Sequence, residues 1–311
     1  MVLDAQPVAI MSKVLILSDG RMGHLNQSLA FVKYLDLSYE VVPVKFKHTS
    51  YKALSYLLDK AGIYTETLFE VDLKKTYDMV VGTGSATSYA TKVIAKKMHA
   101  KSVSMMLPRG YRYNFDIIFA QSHDHPPKKT NIIEIPANFS TVEPQGLYEA
   151  KKKSIGIVIG GDNKIFTLSK EKLKAQLDTI VKTYPDHEVA VTTSPRTSQE
   201  IEALVDSYAF DYEVLFSKNP INPIPDFLDQ CETVFITGDS TSMISEAVSY
   251  GMSNVVVLPL MSQKENKFTR FTQGLEKEGY LHIFDGTIKD KNKKIDFKNY
   301  MKEIILLNGR L

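Results

Sequence analysis

Short apolar runs alternate with amphipathic stretches along almost the whole chain. Val14–Ser18 and Asp78–Gly82 are runs of strand length, and helical spacing takes over near Asn26 and again from Ser85 to about His99. Val103–Leu107, Phe115–Ala120 and Ile132–Ile135 continue the strand series. After the polar junction Lys151–Ser154 the pattern restarts with Ile155–Gly161. Ser169–Tyr184 follows, with Leu173, Leu177, Ile180 and Val181 on one helical face. Val189–Thr193, Glu213–Phe216, Val234–Thr237 and Val255–Leu258 complete a second set of strands. Uninterrupted apolar strands separated by helices predict parallel sheets covered on both faces. The expected fold is therefore α/β, with two doubly wound Rossmann-like domains, residues 1–150 and 151–311. Leu54, Tyr56, Leu57, Leu58 and Tyr64, near Lys52 and Lys60, read as a core-facing helix rather than a membrane-surface patch.

A length of 311 residues accommodates two such domains, and 43% hydrophobic residues supply ordinary cores. The 38 basic and 36 acidic residues leave a net charge of +2, which is no nucleic-acid footprint. The first half is mildly basic. The single cysteine, Cys231, excludes an intrachain disulfide and suits a reducing compartment, so a cytoplasmic protein is expected. No apolar run is long enough to span a bilayer, which leaves room only for peripheral contact at the inner face of the membrane. The first ten residues lack the basic start and apolar core of a signal peptide and read as a lead before Met11.

The richest chemistry lies in Gly238–Gly251. Ser240, Thr241 and Ser242 crowd the start of a helix that follows the run Thr233–Thr237. A helix start offers unpaired N–H groups and partial positive charge, a seat for phosphate. Glu246 lies one turn beyond Ser242, where a carboxylate can accept from a ribose diol. Together they describe a nucleotide pocket, and equally an N-capped helix with a solvated glutamate. Gly160, Gly161, Asn163 and Lys164 form another strand-to-helix turn, whose amides and lysine could meet a diphosphate, although glycine pairs are common in turns. Their spacing is not that of a P-loop. Arg196 ends the next strand and can fork onto a phosphate or stand by at the surface. Gln263 and Asn266 could reach a nucleotide-sugar or simply form and cap a turn.

In the first domain, Asp19, Gly20, Gly23, His24, Asn26 and Gln27 fall at the first strand-to-helix turn, where ligands of open sheets collect. His24 there could deprotonate an acceptor hydroxyl; otherwise it caps or packs. The turn is not the dinucleotide fingerprint G-x-G-x-x-G. His123-Asp124-His125 has no downstream ligands to complete the three or four a metal site needs, so no metal is expected.

In order, these pieces resemble the bacterial and plant family named for the plant mitochondrial-fission factor "elongated mitochondria", over about residues 14 to 280. The resemblance is carried by Asp19-Gly20, Gly23-His24, Asn26-Gln27, Phe115-Asp116, His123-Asp124, Gly160-Gly161, Asn163-Lys164, Ser194–Thr197, Asn219-Pro220 and the block Asp239–Ala247. Pro195 departs from a second arginine common in the family. More widely, the chain is similar to GT-B glycosyltransferases, including the one that adds N-acetylglucosamine to lipid-linked peptidoglycan precursors. The resemblance implies a metal-independent transferase with no cofactor beyond a nucleotide-diphosphate-sugar donor held by the second domain. It implies a glycan or lipid-linked acceptor on the first, with His24 as base, Glu246 on the ribose and Ser240–Ser242 on the diphosphate. It also implies a last helix, about Phe297–Leu307, that crosses back onto the first domain. Two other functions share the architecture: a non-enzymatic adaptor, as the plant member recruits a dynamin-like GTPase, and a nucleotide-sugar 2-epimerase.

Overall fold

The computed structural model describes residues 13–261, 266–289 and 291–308; the N-terminal lead and Gln263 lie outside them. The chain forms two compact units. The first contains β1 (Lys13–Ser18), α1 (Met22–Tyr34), β2 (Ser38–Pro43), β3 (Lys45–Phe46), α2 (Thr49–Ala61), β4 (Phe69–Glu70), β5 (Met79–Gly82), α3 (Ser88–Met98), β6 (Lys101–Ser104), β7 (Ile117–Gln121) and β8 (Ile132–Ile135). The second contains β9 (Ser154–Ile159), α4 (Lys170–Thr183), β10 (Glu188–Thr193), α5 (Gln199–Asp206), β11 (Tyr212–Val214), α6 (Ile224–Gln230) and β12 (Thr233–Thr237). It continues through α7 (Thr241–Ser249), β13 (Asn254–Leu258), α8 (Lys267–Lys277) and β14 (His282–Ile283). In the final helix, α9 (Phe297–Asn308), residues from 298 onward belong to the first unit. There Met301 is fully buried and the Tyr300 hydroxyl donates to the Glu134 carbonyl at 2.5 Å.

Each unit has a six-stranded parallel sheet, in the orders β2-β1-β5-β6-β7-β8 and β11-β10-β9-β12-β13-β14. Both are doubly wound. β1 and β9 each have the next strand on one side and a later strand on the other, so the direction of winding reverses at β1/β5 and at β9/β12. At such a reversal the loops part and leave a crevice beyond the strands' carboxyl ends. The cores are the apolar strand faces and the helices laid on them. Leu15, Leu17, Val80 and Ile94 pack together in the first unit, and Ile157, Leu173, Leu177, Val191 and Phe235 in the second.

The seam differs from the expected boundary after residue 150: residues 136–150 belong to the second unit. The Asp226 carboxylate accepts from the amides of Gln145 and Gly146 at 3.1 and 2.7 Å, and Ser245 Oγ accepts from Asn138 N at 3.1 Å. Lys151–Ser154 is thus only the approach to β9.

Helix α2 also differs from the expected core-facing helix. Tyr56, Leu58 and Tyr64 pack on the core, but Leu57 is 64% exposed. The buried face of α2 instead carries Ser55 and Asp59. Asp59 is paired with the buried Lys92 at 2.7 Å, and the Lys92 ammonium also donates to Arg112 O and Asn114 Oδ1. Desolvation pulls the Lys92 pKa down, and Asp59 opposes that pull.

Candidate functional site

In the second unit, three loops meet at the β9/β12 reversal. After β12 the chain turns through Gly238 and Asp239 into α7. The Asp239 side chain has no solvent exposure. Its Oδ2 accepts from Arg196 Nη2 at 2.6 Å and from Gly161 N at 3.2 Å; its Oδ1 accepts from the Thr237 hydroxyl at 2.7 Å. One carboxylate thereby ties the loops after β9, β10 and β12 together. The glycine pair has a packing cause. A Cβ on Gly160 would stand 2.1 Å from Asp239 Oδ1, and one on Gly161 1.9 Å from the Arg196 carbonyl.

This arrangement changes the parts expected of two residues. Arg196 does not stand ready as an open fork: Nη2 is engaged by Asp239, and Nη1 reaches the Asp162 carbonyl at 3.4 Å. Asn163 spends its side chain on the loop. Its Oδ1 accepts from the amides of Ile165 and Phe166, and its Nδ2 donates to the Asp239 carbonyl. Lys164 stands exposed beside them. Asn266 caps α8, accepting from Phe268 N and Thr269 N in a reciprocal capping box.

Ser240 is the N-cap of α7, its Oγ accepting from Met243 N at 3.4 Å. Thr241 and Ser242 occupy the first turn, half-buried, with side-chain hydroxyls that bond no described residue. Glu246 lies one turn on. Its carboxyl is partly buried and has no hydrogen-bond or ion-pair partner among the described residues. Burial pushes its pKa up to about 7. At the other end of α7, Lys294 donates to the Ala247 carbonyl at 2.6 Å, and burial pulls its ammonium down to about 8. An apolar slot of about 40 Å³ beside Gly238, lined by Phe166, Pro259, Leu260 and Phe268, is too small for a base or a sugar ring.

In the first unit, α1 starts at Met22, a turn earlier than the expected Asn26. Asp19 Oδ1 accepts from Arg21 N at 3.2 Å, and Gly20 takes φ +81°, so the turn closes within two residues. His24, Asn26 and Gln27 are therefore helical residues, and Gly23 lies in the first turn. Asp19 Oδ2 sits 2.9 Å from His24 Nδ1, with the carboxylate nearly buried and the imidazole 22% exposed. A carboxylate only accepts, so Nδ1 carries the hydrogen and Nε2 of the neutral ring is left as an acceptor. Gly84, after β5, approaches the ring closely: a Cβ there would fall 2.5 Å from His24 Cε1.

Among the described residues no group of three His, Cys, Asp or Glu side chains is placed to hold a metal. Burial pushes the Cys231 thiol up to about 12, so it is no nucleophile near neutral pH.

A family model described as mitochondrial fission ELM1 matches residues 22–302. The chain belongs to that family. Its ELM1 character rests on a match that spans both units. An uncharacterized Rickettsia prowazekii protein, RP120, is 24% identical, with 88% of this chain and 90% of that protein covered. Among solved structures the chain is similar to MurG of Acinetobacter baumannii at 12% identity and a TM-score of 0.46, covering 95% of this chain and 90% of that one. It is also similar to a UDP-GlcNAc 2-epimerase of Neisseria meningitidis bound to UDP-GlcNAc, at 12% identity and a TM-score of 0.47, with 95% and 99% covered. The glycosyltransferase SnogD of Streptomyces nogalater matches at 12% identity and a TM-score of 0.47, over 89% and 87%.

Asp239 lies within the block Asp239–Ala247, but no local signal in the sequence gives it a part, and none marks Thr237, Thr83 or Gly84. For His24, the available signal was an aspartate five residues ahead of it, at the N-terminal side of a turn that glycine closes.

Proposed function

We propose that this ELM1-family chain is a glycosyltransferase that moves a sugar from a nucleotide-diphosphate-sugar to a hydroxyl of a surface-glycan or lipid-linked precursor. The observation that carries the reading is Glu246. A carboxyl partly buried one turn inside a helix, with no partner among the described residues, is suited to receive a ribose diol. The α7 start, where the Thr241 and Ser242 hydroxyls bond no described residue, takes the diphosphate and stabilises it as it leaves, without calling on a metal ion. The second unit in this way holds the donor. In the first unit, Asp19 fixes the His24 tautomer, and Nε2 accepts the proton of the attacking hydroxyl. The protein works in the cytoplasm, with any membrane contact peripheral. No helix of the described residues is long and apolar enough to cross a membrane.

The donor site is tested by thermal stability against a panel of nucleoside diphosphates and nucleotide-sugars. A ligand at about 100 times its Kd stabilises the folded state by about 2.7 kcal/mol. The expected result is a shift with one base that Glu246→Ala abolishes. No shift with any of them would sink the donor site and favour an adaptor. NMR of the donor alone with the protein separates a transferase from an epimerase, which would convert it without acceptor.

His24→Ala is expected to lower turnover by about 100-fold or more with the fold intact, the range for a general base. Asp19→Asn should act in the same direction by releasing the tautomer. Near-normal turnover in His24→Ala would remove that residue from the chemistry.

A further inference from the structure

Helix α2 turns its polar side inward. Its buried residues are Ser55 and Asp59, one turn apart. Ser55 shares a hydrogen bond of 2.8 Å with the Tyr111 hydroxyl, and the Asp59 carboxylate accepts from the Lys92 ammonium and from Arg112 N, both at 2.7 Å. On the opposite side Ala53, Leu54, Leu57 and Ala61 recur at helical spacing, all exposed. Leu54 is 39% and Leu57 64% exposed. Gly62 ends the helix at φ +76°, and Ile63 N donates back to the Leu58 carbonyl at 2.9 Å. That turn brings Ile63, itself 51% exposed, alongside the last turn of the helix. A surface helix ordinarily has the reverse arrangement. Scattered exposed leucines need no account, but this is a patch gathered on one helix.

The charge around the patch has one sign. Between Glu40 and Glu66 the chain carries Lys45, Lys47, Lys52 and Lys60 and a single acid, Asp59, which is buried and paired with Lys92. Glu66 itself pairs with Lys97 at 2.8 Å. Lys60 lies on the exposed side of α2, and Lys47 stands exposed just before the helix. At the other end the exposed Arg112 closes on Gly62, where a Cβ would lie 3.4 Å from Nη2. No acid stands between His99 and Phe115, the stretch that supplies Arg112. A helix ridge with leucines along it and cations at both ends matches an anionic bilayer surface: the leucines enter the acyl boundary and the cations meet lipid phosphates. A second copy of the chain would set like charge against like.

We propose that the outer face of α2, with Ile63, docks this protein on an anionic lipid bilayer, with Leu54, Leu57 and Ile63 at the acyl boundary and Lys47, Lys60 and Arg112 on lipid phosphates. The proposal gives a place to the peripheral membrane contact of the function proposed above, and it rests on that reading only in taking the contact as peripheral. A single helix of 13 residues makes the attachment reversible and sensitive to salt.

The test needs no nucleotide, so it fails or succeeds separately from the donor panel. The full chain is sedimented with vesicles of phosphatidylcholine, alone or mixed equally with phosphatidylglycerol. Wild type is expected to bind the mixed vesicles at least about tenfold more tightly than the neutral ones, and to leave them in high salt. Leu54→Ser with Leu57→Ser, and separately Lys47→Glu with Lys60→Glu, should each weaken that binding at least about tenfold. Both double variants should melt within about 2 °C of wild type, because the residues are exposed. An environment-sensitive dye on Ala53→Cys should shift to the blue on the mixed vesicles, and one on Lys182→Cys in α4 should not; Cys231 is buried, so the dye reports the introduced thiol. Should a double variant melt early, the dye decides alone. No binding of wild type to the mixed vesicles overturns the proposal and leaves the face to an acidic protein partner. Binding that survives either double variant overturns it too, as does a dye on Ala53→Cys that reports water throughout.

Discussion

Replacing Arg196 by alanine is expected to cost the second unit about 3–5 kcal/mol, the range for stranding a buried charge. Asp239→Asn should cost less, about 1–3 kcal/mol. The asymmetry follows from exposure. The Asp239 side chain is wholly buried, whereas the Arg196 side chain is 41% exposed. Without Arg196, the carboxylate keeps, among the described residues, only the Thr237 hydroxyl and the Gly161 amide in a place water does not reach. Without the carboxylate, the guanidinium turns to solvent, and asparagine still accepts one of the two remaining hydrogen bonds. The double variant should therefore lose less than the sum of the singles. Urea midpoints at constant m-value measure all three. Equal costs for the two singles, or strict additivity, would show that the pair does not act as one lock. The lock also bears on function, because it fixes the loop after β12 from which α7 starts. Nucleotide binding should weaken in Arg196→Ala even though the guanidinium is largely committed within the protein.

Much of the fold was legible because parallel strands buried on both faces read as plain apolar runs: Thr233–Thr237 and Asn254–Leu258 are buried at every position. Some elements outside that rule escaped. β2, Ser38–Pro43, is an edge strand with one buried residue, and β14 is two residues long. The seam escaped because Asp226 grips the backbone of Gln145 and Gly146 across some eighty residues of chain, a contact that no local pattern announces. The site divides along the same line. Ser240, Thr241, Ser242 and Glu246 are local to one helix and could be read from spacing. The pairing of Arg196 with Asp239 joins residues 43 apart, and the sequence offered Arg196 only as a charge.

Glu246→Gln is expected to change how stability depends on pH. The wild-type carboxyl titrates near 7 in the folded chain and near 4.5 in the unfolded one. Below pH about 4.5 both states hold the proton, and the stability linked to Glu246 is fully present. As pH rises from there to about 7, the unfolded chain releases the proton while the folded chain keeps it, and that stability is lost. Above about 7 both are ionised and the loss is complete, about 2–3 kcal/mol for a side chain still partly in water. Glutamine does not titrate, so the difference between variant and wild type isolates the effect, the other groups cancelling. Relative to wild type, Glu246→Gln should gain those 2–3 kcal/mol between acid and alkaline pH, read from urea unfolding across the window. Parallel curves would mean that the carboxyl is not desolvated. The same titration carries the functional claim. A ribose diol donates to a carboxylate, so nucleotide binding should tighten as pH rises through about 7 in wild type and stay flat in Glu246→Gln. Proton release on binding, measured by calorimetry in buffers of different ionisation enthalpy, should appear near neutral pH in the wild type alone. A stability difference without that proton release would leave Glu246 buried to no purpose in nucleotide binding, and the donor site would have to be sought elsewhere in the second unit.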